Sequence, residues 1–159
     1  MKPITPRIMI RALSNTEKLR LLKNNYIGYL SYIYRNRPFI APITYYFDEK
    51  QNIIIGYSAE GHKVRSMRKN PNVCLNISDI ASVNSWMSVL VQGEYEELSG
   101  SEAKAQLHAF SLGVKDLIMT KEHRELDFIS EFSSKIYNDD LPIIFIIKID
   151  EITGKIRRK

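Results

Sequence analysis

This sequence predicts a mainly β (β-rich α+β) fold: six strands in a small, closed or nearly closed antiparallel barrel, with a few flanking helices. Three observations carry that reading. Nine Tyr, six Phe and many Ile favour strands. Short polar turns join three of the strand-like runs as hairpins. So many Ile- and Tyr-rich strands would leave adhesive edges in an open sheet, and closure removes them.

The elements follow in order. Ser14-Asn15-Thr16-Glu17 opens a helix, with Ser14 at the N-cap and Glu17 in the capping-box position. Leu19, Leu21 and Leu22 supply its apolar side, and Asn24-Asn25 ends it. Tyr26 to Tyr34 reads as the first strand and Arg35-Asn36-Arg37 as a turn. Pro38 to Phe47 reads as the second strand; Pro42 cannot donate to a ladder, so this strand is irregular or at an edge. Asp48 to Asn52 is a polar hairpin loop before a third strand, Ile53 to Ser58. A short basic helix begins near His62 and must stop at Asn70-Pro71.

Val73 to Ile80 reads as the fourth strand and Ala81 to Ser85 as a loop. Trp86 to Leu98 is a long fifth strand, with Met87, Val89 and Val91 on one face and Ser88, Leu90 and Gln92 on the other. Gly93 marks a bulge or a close contact inside it. Ser101 to Ser111 and Glu122 to Tyr137 carry helical spacing, and Pro142 to Ile152 reads as the last strand. Neither repeat nor linker interrupts the 159 residues, so a single domain spanning 1–159 is expected.

Formal net charge is +5, and Lys155, Arg157, Arg158 and Lys159 carry four of those charges, which reads as a solubilising basic end. Basic residues do not interleave with aromatics elsewhere, so nucleic acid is not an expected partner. Cys74 is the only cysteine, which excludes an intramolecular disulfide; within Val73-Cys74-Leu75 it reads as a buried, inert thiol. The longest purely apolar run, Ile143 to Ile147, is too short to span a bilayer, and no apolar leader segment is visible. A cytoplasmic protein without a membrane partner is the expectation.

The most informative stretch runs from Gly56 to Pro71. A strand ends in a Gly-containing turn, and a helix starts at His62-Lys63. Free N–H groups at a helix start, with a hydroxyl and a lysine, suit a phosphate. On the residues alone, Lys63 is a phosphate ligand or a solvated helix residue. His62 caps the helix, touches the phosphate or faces water. Trp86 packs in the core or a dimer, or stacks on a ligand. Other chemistries fare poorly. Gly56 to Gly61 is one residue too long for a nucleophile elbow, His108 and His123 have no ligand spacing with Cys74, and no P-loop motif occurs.

Four blocks in order give the chain a family likeness. They are the helix Ser14 to Asn24 with Gly28-Tyr29-Leu30; Pro42-Ile43-Thr44-Tyr45; Tyr57-Ser58 with Gly61-His62-Lys63; and Trp86-Met87-Ser88-Val89 with Gly93 and Glu96-Glu97-Leu98. Together they resemble the FMN-binding split-barrel family, the pyridoxamine 5'-phosphate oxidase-like flavoproteins. The closing stretch Ile146 to Lys155, with Ile152-Thr153-Gly154-Lys155, is similar to the branch that includes nitroimidazole-resistance proteins.

The resemblance implies a six-stranded antiparallel split β-barrel that binds FMN at a homodimer interface. It implies that Ile40, Ala41, Pro42, Ile43, Thr44 and Tyr45 contact the isoalloxazine and ribityl, partly through backbone groups. Tyr57 and Ser58 would sit by the ribityl phosphate and Lys63 would pair with it. His62 stands where the oxidase has an arginine, and Ser88 where it has a flavin-binding glutamine; Trp86 shares that cofactor-facing strand. The oxidases' arginine-bearing substrate motif is missing from Ile149 to Lys155, which argues against pyridoxamine phosphate as substrate. Two functions remain. One is an oxidoreductase passing electrons from a reduced nicotinamide to a small acceptor such as a quinone or nitro compound. The other is a non-enzymatic flavin-binding, flavin-storing or redox-sensing protein. A barrel of this kind could also take a deazaflavin or haem.

Overall fold

The computed structural model describes residues 9–122 and 142–158. The expected helix Glu122 to Tyr137 lies, apart from Glu122, outside the described residues, as do His123 and Lys159. Seven strands and three helices run in the order β1 (Met9–Ala12), α1 (Asn15–Lys23), β2 (Ile27–Tyr34), β3 (Arg37–Asp48), β4 (Ile53–Ser58), α2 (His62–Lys69), β5 (Asn72–Ser82), β6 (Ser85–Leu98), α3 (Gly100–Glu122) and β7 (Ile143–Arg158). All pairings are antiparallel, in the order β1-β7-β4-β3-β2-β5-β6, and β6 pairs again with β7. That last pairing closes β2 to β7, the six strands legible in the sequence, into a barrel. The short β1 adds to β7 outside the ring.

β7 is the strand that splits the barrel. Its Ile143 to Lys148 half pairs with β4, and its Lys155 to Arg158 half pairs with β1. The basic end is therefore a strand and not a free solubilising tail: Lys155 pairs with Ser88 and Arg157 with Trp86. The Gln92/Gly93 step of β6 faces a register shift in β7, so Gly93 does sit at a bulge. Pro42 is tolerated for a local reason. β4 covers β3 only from Tyr45 to Asp48, so among the described strands Pro42 has a ladder partner on one side alone, Tyr29 of β2.

Two cores form. One fills the barrel, where Leu30, Tyr45, Ile54, Leu75, Val91 and Phe145 are fully buried. The other lies between α3 and the outer faces of β4 and β7, with Leu107, Phe110 and Val114 against Ile55, Ile144 and Ile146. This explains why Ile53-Ile54-Ile55 does not alternate: both of its faces are covered. α3 continues past the expected end at Ser111 because Gly113 lets the Tyr46 ring pack directly on the helix. Cys74 is half-buried, on the outward face of β5 between inward Val73 and Leu75, and so is not in the core.

α1 forms as its caps require. The Glu17 N–H donates to Ser14 Oγ at 3.2 Å and the Ser14 N–H to Glu17 Oε1 at 3.0 Å. Arg11, with that backbone N–H, holds the Glu17 carboxyl down at about 2. The stabilisation is thus complete above the ordinary carboxylate range and is lost as the pH falls towards 2.

The β2–β3 turn is tight, with Arg35 at φ 49° and Asn36 at φ 63°. A non-glycine residue in the left-handed region costs roughly 1–2 kcal/mol, while Asn tolerates it better. Arg35 gains an exposed cation–π contact, 5.2 Å above the Tyr34 ring, which contributes about 0.5–1 kcal/mol. Arg35→Asn is therefore expected to stabilise the fold by roughly 0.5–1 kcal/mol. A denaturant midpoint at or below the parent's would contradict this.

Candidate functional site

β4 delivers Tyr57 and Ser58 to the turn, and α2 starts at His62 with Gly61 as N-cap. No side chain caps this helix and its first turn holds no acid, so its leading N–H groups suit an anion. Lys63 is half-buried beside them. Burial alone lowers its pKa; no carboxylate among the described residues offsets that desolvation. Ser58 Oγ donates to the Ala59 carbonyl at 3.1 Å. Ser66 Oγ donates to the His62 carbonyl at 2.6 Å and so tightens the first turn.

The turn is braced from outside. Arg68 grips Glu60 with both terminal nitrogens at 2.7 and 2.9 Å, and its Nε donates to Glu97 of β6 at 3.1 Å. Glu97 also accepts the Tyr95 hydroxyl at 2.8 Å. These exposed groups add little stability, but they fix the Ala59–Gly61 link relative to the barrel. Arg68→Ala should leave the melting temperature nearly unchanged. It should weaken binding of a phosphorylated ligand about two- to fivefold, through the ordering that the turn then has to supply. Binding unchanged by Arg68→Ala would show that the brace positions nothing.

His62 is held by rings. Its Nδ1 lies 3.2 Å from the Tyr32 hydroxyl. Its ring is 4.8 Å from that of Tyr34 and 5.0 Å from that of Phe39. These three aromatics were not singled out in the sequence, because their contact with His62 spans about thirty positions and two other strands. The signal that could have found them is the density of aromatics flanking the β2–β3 turn.

The Ile40 to Tyr45 segment divides by alternation. Ile40 is 66% exposed and Pro42 and Thr44 share its outward face. Ile43 and Tyr45 point into the barrel, and the Tyr45 hydroxyl donates to the Leu22 carbonyl at 2.9 Å. Only the backbone of Ile43 and Tyr45 can meet an external ligand, whereas Ile40, Pro42 and Thr44 can present side chains, with Ala41 half-buried between them. Thr44 hydrogen-bonds the Tyr57 hydroxyl; burial raises the Tyr57 pKa and this bond opposes the rise.

Trp86 and Ser88 line a pocket of about 530 Å3 with Lys18, Leu90, Thr153 and Lys155. Ser88 Oγ accepts from Asn76 Nδ2 at 2.8 Å and lies 3.0 Å from Ser78 Oγ, a polar knot the sequence reading missed. Along β2 and β5 this pocket and the His62 ring lie at different levels. Ser88 pairs with Ser78, two residues beyond Asn76, the partner of Tyr29; His62 packs on Tyr34, five residues the other way. The two levels are about 23 Å apart at roughly 3.3 Å per residue.

A family model described as "Pyridoxamine 5'-phosphate oxidase" matches residues 14–134. The chain belongs to that family. The match to the pyridoxamine 5'-phosphate oxidase family spans every site residue expected from the sequence, from Ile40 to Ser88, but not Thr153 and Lys155 of the pocket. An uncharacterized Rhizobium meliloti (strain 1021) protein is 29% identical over 150 residues, covering 93% of this chain and 95% of its own length. Two solved structures share the fold. A FAD-binding protein from Mesorhizobium loti superposes with a TM-score of 0.72 at 23% identity, covering 96% of this chain and 100% of that one. A candidate 5-nitroimidazole antibiotic resistance protein from Bacteroides thetaiotaomicron gives 0.71 at 13% identity, with 96% and 90% covered. The split β-barrel expected from the sequence is thus the fold that these two structures share with the chain, and among the described residues no helix is long and apolar enough to cross a membrane.

Proposed function

We propose that this chain binds FMN and works as an oxidoreductase that passes electrons from a reduced nicotinamide to a small acceptor such as a quinone or nitro compound. The observation that carries the reading is the uncapped start of α2 with half-buried Lys63 beside it. A desolvated ammonium without a carboxylate is unfavourable by itself and becomes favourable once a phosphate is its partner. Lys63 and the N–H groups of the turn would hold the phosphate, with Tyr57 and Ser58 beside it. The outward face of Ile40, Pro42 and Thr44 would support the ring. The flavin supplies the redox chemistry when bound, so no side chain needs to be an acid or base. Both the family membership and the FAD-binding relative support the flavin reading.

The test is reconstitution. Purified protein mixed with FMN should retain it through gel filtration and oxidise NADH or NADPH when a quinone, nitro compound or dye is supplied. Failure to bind FMN would sink the reading. Binding without turnover would select the storing or sensing alternative.

The active form proposed is a homodimer with two flavins. Ile27, Tyr29, Ile40 and Ile80 are each about half exposed or more, a large apolar surface for a monomer. A two-fold axis, the commonest closed arrangement, can bring the Lys63 end of one chain to the Trp86 end of the other. Sedimentation at micromolar concentration should give two chains and two FMN per particle. A monomer that keeps FMN tightly would contradict a shared site.

A further inference from the structure

We infer that Asn76 and Ser78 are positioning residues that hold Ser88 as a hydrogen-bond acceptor at the Trp86 pocket, and that this pocket takes the cyclic imide edge of the flavin. The inference rests on the flavin reading above and adds to it the part of the ring that the pocket reads.

The protons of the polar knot can be counted. Asn76 Nδ2 donates to Ser88 Oγ at 2.8 Å and to the Val89 carbonyl at 3.2 Å. A backbone carbonyl only accepts, so the amide cannot be turned round. Ser78 has one proton and two oxygens in reach, Asn76 Oδ1 at 2.9 Å and Ser88 Oγ at 3.0 Å. Asn76 Oδ1 carries no proton of its own, so the Ser78 proton goes to it, and Ser88 supplies the proton for the other contact. The three side chains then close a cycle: Ser88 donates to Ser78, Ser78 to Asn76 and Asn76 to Ser88. Bonds aligned in this way polarise one another. Ser88 has used its proton and one lone pair, and its second lone pair is left for the pocket. Asn76 and Ser78 stand behind it on β5, outside the lining.

The pocket of about 530 Å3 surrounds that acceptor with donors. Lys155 pairs with Ser88 across the β6–β7 seam. Lys18 Nζ gives one proton to the Ile152 carbonyl at 3.0 Å and keeps two. Trp86 and Leu90 supply apolar surface, and no carboxylate lines the cavity. Two cationic donors beside one neutral acceptor are the complement of a carbonyl, an N–H and a second carbonyl in a row, which is a cyclic imide. The pyrimidine end of the isoalloxazine carries this row, and its N3–H is the only N–H on the oxidised ring. The proposed two-fold axis brings this edge of a flavin held at the Lys63 end of one chain to the Trp86 pocket of the other.

The experiment titrates the flavin-free full chain with FMN and with 3-methyl-FMN, in which a methyl group replaces the N3 proton, for the parent, Ser88→Ala and Asn76→Ala. The parent should bind FMN about tenfold more tightly than the methylated flavin, because methylation leaves the Ser88 lone pair without a partner. In Ser88→Ala the two affinities should agree within about twofold. In Asn76→Ala the Ser88 hydroxyl is free to turn, and the preference for FMN should fall to about two- to threefold through loss of FMN affinity alone. Equal affinities of the parent for the two flavins would overturn the imide contact and leave the FMN reading intact. A parent preference that survives in Ser88→Ala would overturn it as well, and one that survives in Asn76→Ala would remove the positioning role. Loss of both flavins in equal measure in the variants would show that the knot serves the fold and not the ligand. A parent that binds neither flavin would remove this inference together with the flavin reading. Ser88→Ala still decides the contact if Asn76→Ala disturbs β5.

Discussion

Lys63→Ala should weaken FMN binding about ten- to a hundredfold, because a charge-assisted hydrogen bond to a buried-side partner contributes roughly 1.5–3 kcal/mol. The substitution should not weaken the flavin-free fold. Burial lowers the Lys63 pKa, so its charge opposes folding at neutral pH. That penalty fades as the pH rises through the lowered pKa, and Lys63→Ala should flatten this part of the stability profile. Riboflavin lacks the phosphate; it should bind the parent far more weakly than FMN and be nearly indifferent to the substitution. FMN affinity should also decline as the pH rises through the Lys63 pKa, and that decline should vanish in Lys63→Ala. Equal FMN affinity in parent and variant would remove Lys63 from the site and leave the uncapped helix start unexplained.

What was legible in the sequence was local. Ser14 and Glu17 stand three apart, the spacing of a capping box, and both hydrogen bonds form. The alternation of Met87, Val89 and Val91 with Ser88, Leu90 and Gln92 places the first set inward, and the structure buries Val89 and Val91. Asn70-Pro71 stops α2 because Pro cannot continue the ladder of a helix. What was illegible depends on distant partners. Four exposed residues make β1, and only the end of β7, some 145 positions away, turns Met9 to Ala12 into a strand. The same pairing turns the basic end into a strand. α3 passes through Gly113, a poor helix former, because Tyr46 of β3 fills the space a side chain would take. At the site, Lys63 and Ser58 share a short segment and could be read together. The rings around His62 and the grip of Arg68 on Glu60 and Glu97 unite separate elements, and no spacing rule announces them.

Gly93→Ala should cost the flavin-free protein about 2–3 kcal/mol, which is a fall of roughly 5–10 °C in melting temperature. β6 passes β7 so closely at the register shift that a Cβ on Gly93 would overlap the Lys148 carbonyl oxygen. It would also stand 2.8 Å from Ile147 Cγ2 and 3.0 Å from the Lys148 carbonyl carbon. Backbone atoms cannot swing aside as a flexible side chain can, so the bulge itself must open. That opening breaks the β6–β7 seam, the pairing that closes the barrel and joins the Trp86 end to the turn end. Gly61→Ala is the matching control. Nothing lies within 4 Å of a Cβ there, and its φ of 178° is extended backbone that any residue adopts. An N-cap glycine replaced by alanine costs about 1 kcal/mol, well below the loss expected at Gly93. Differential scanning calorimetry of both variants at one protein concentration separates the two cases. Equal melting temperatures would mean that the β6–β7 seam tolerates a side chain at Gly93, and close approach would then no longer explain the glycine.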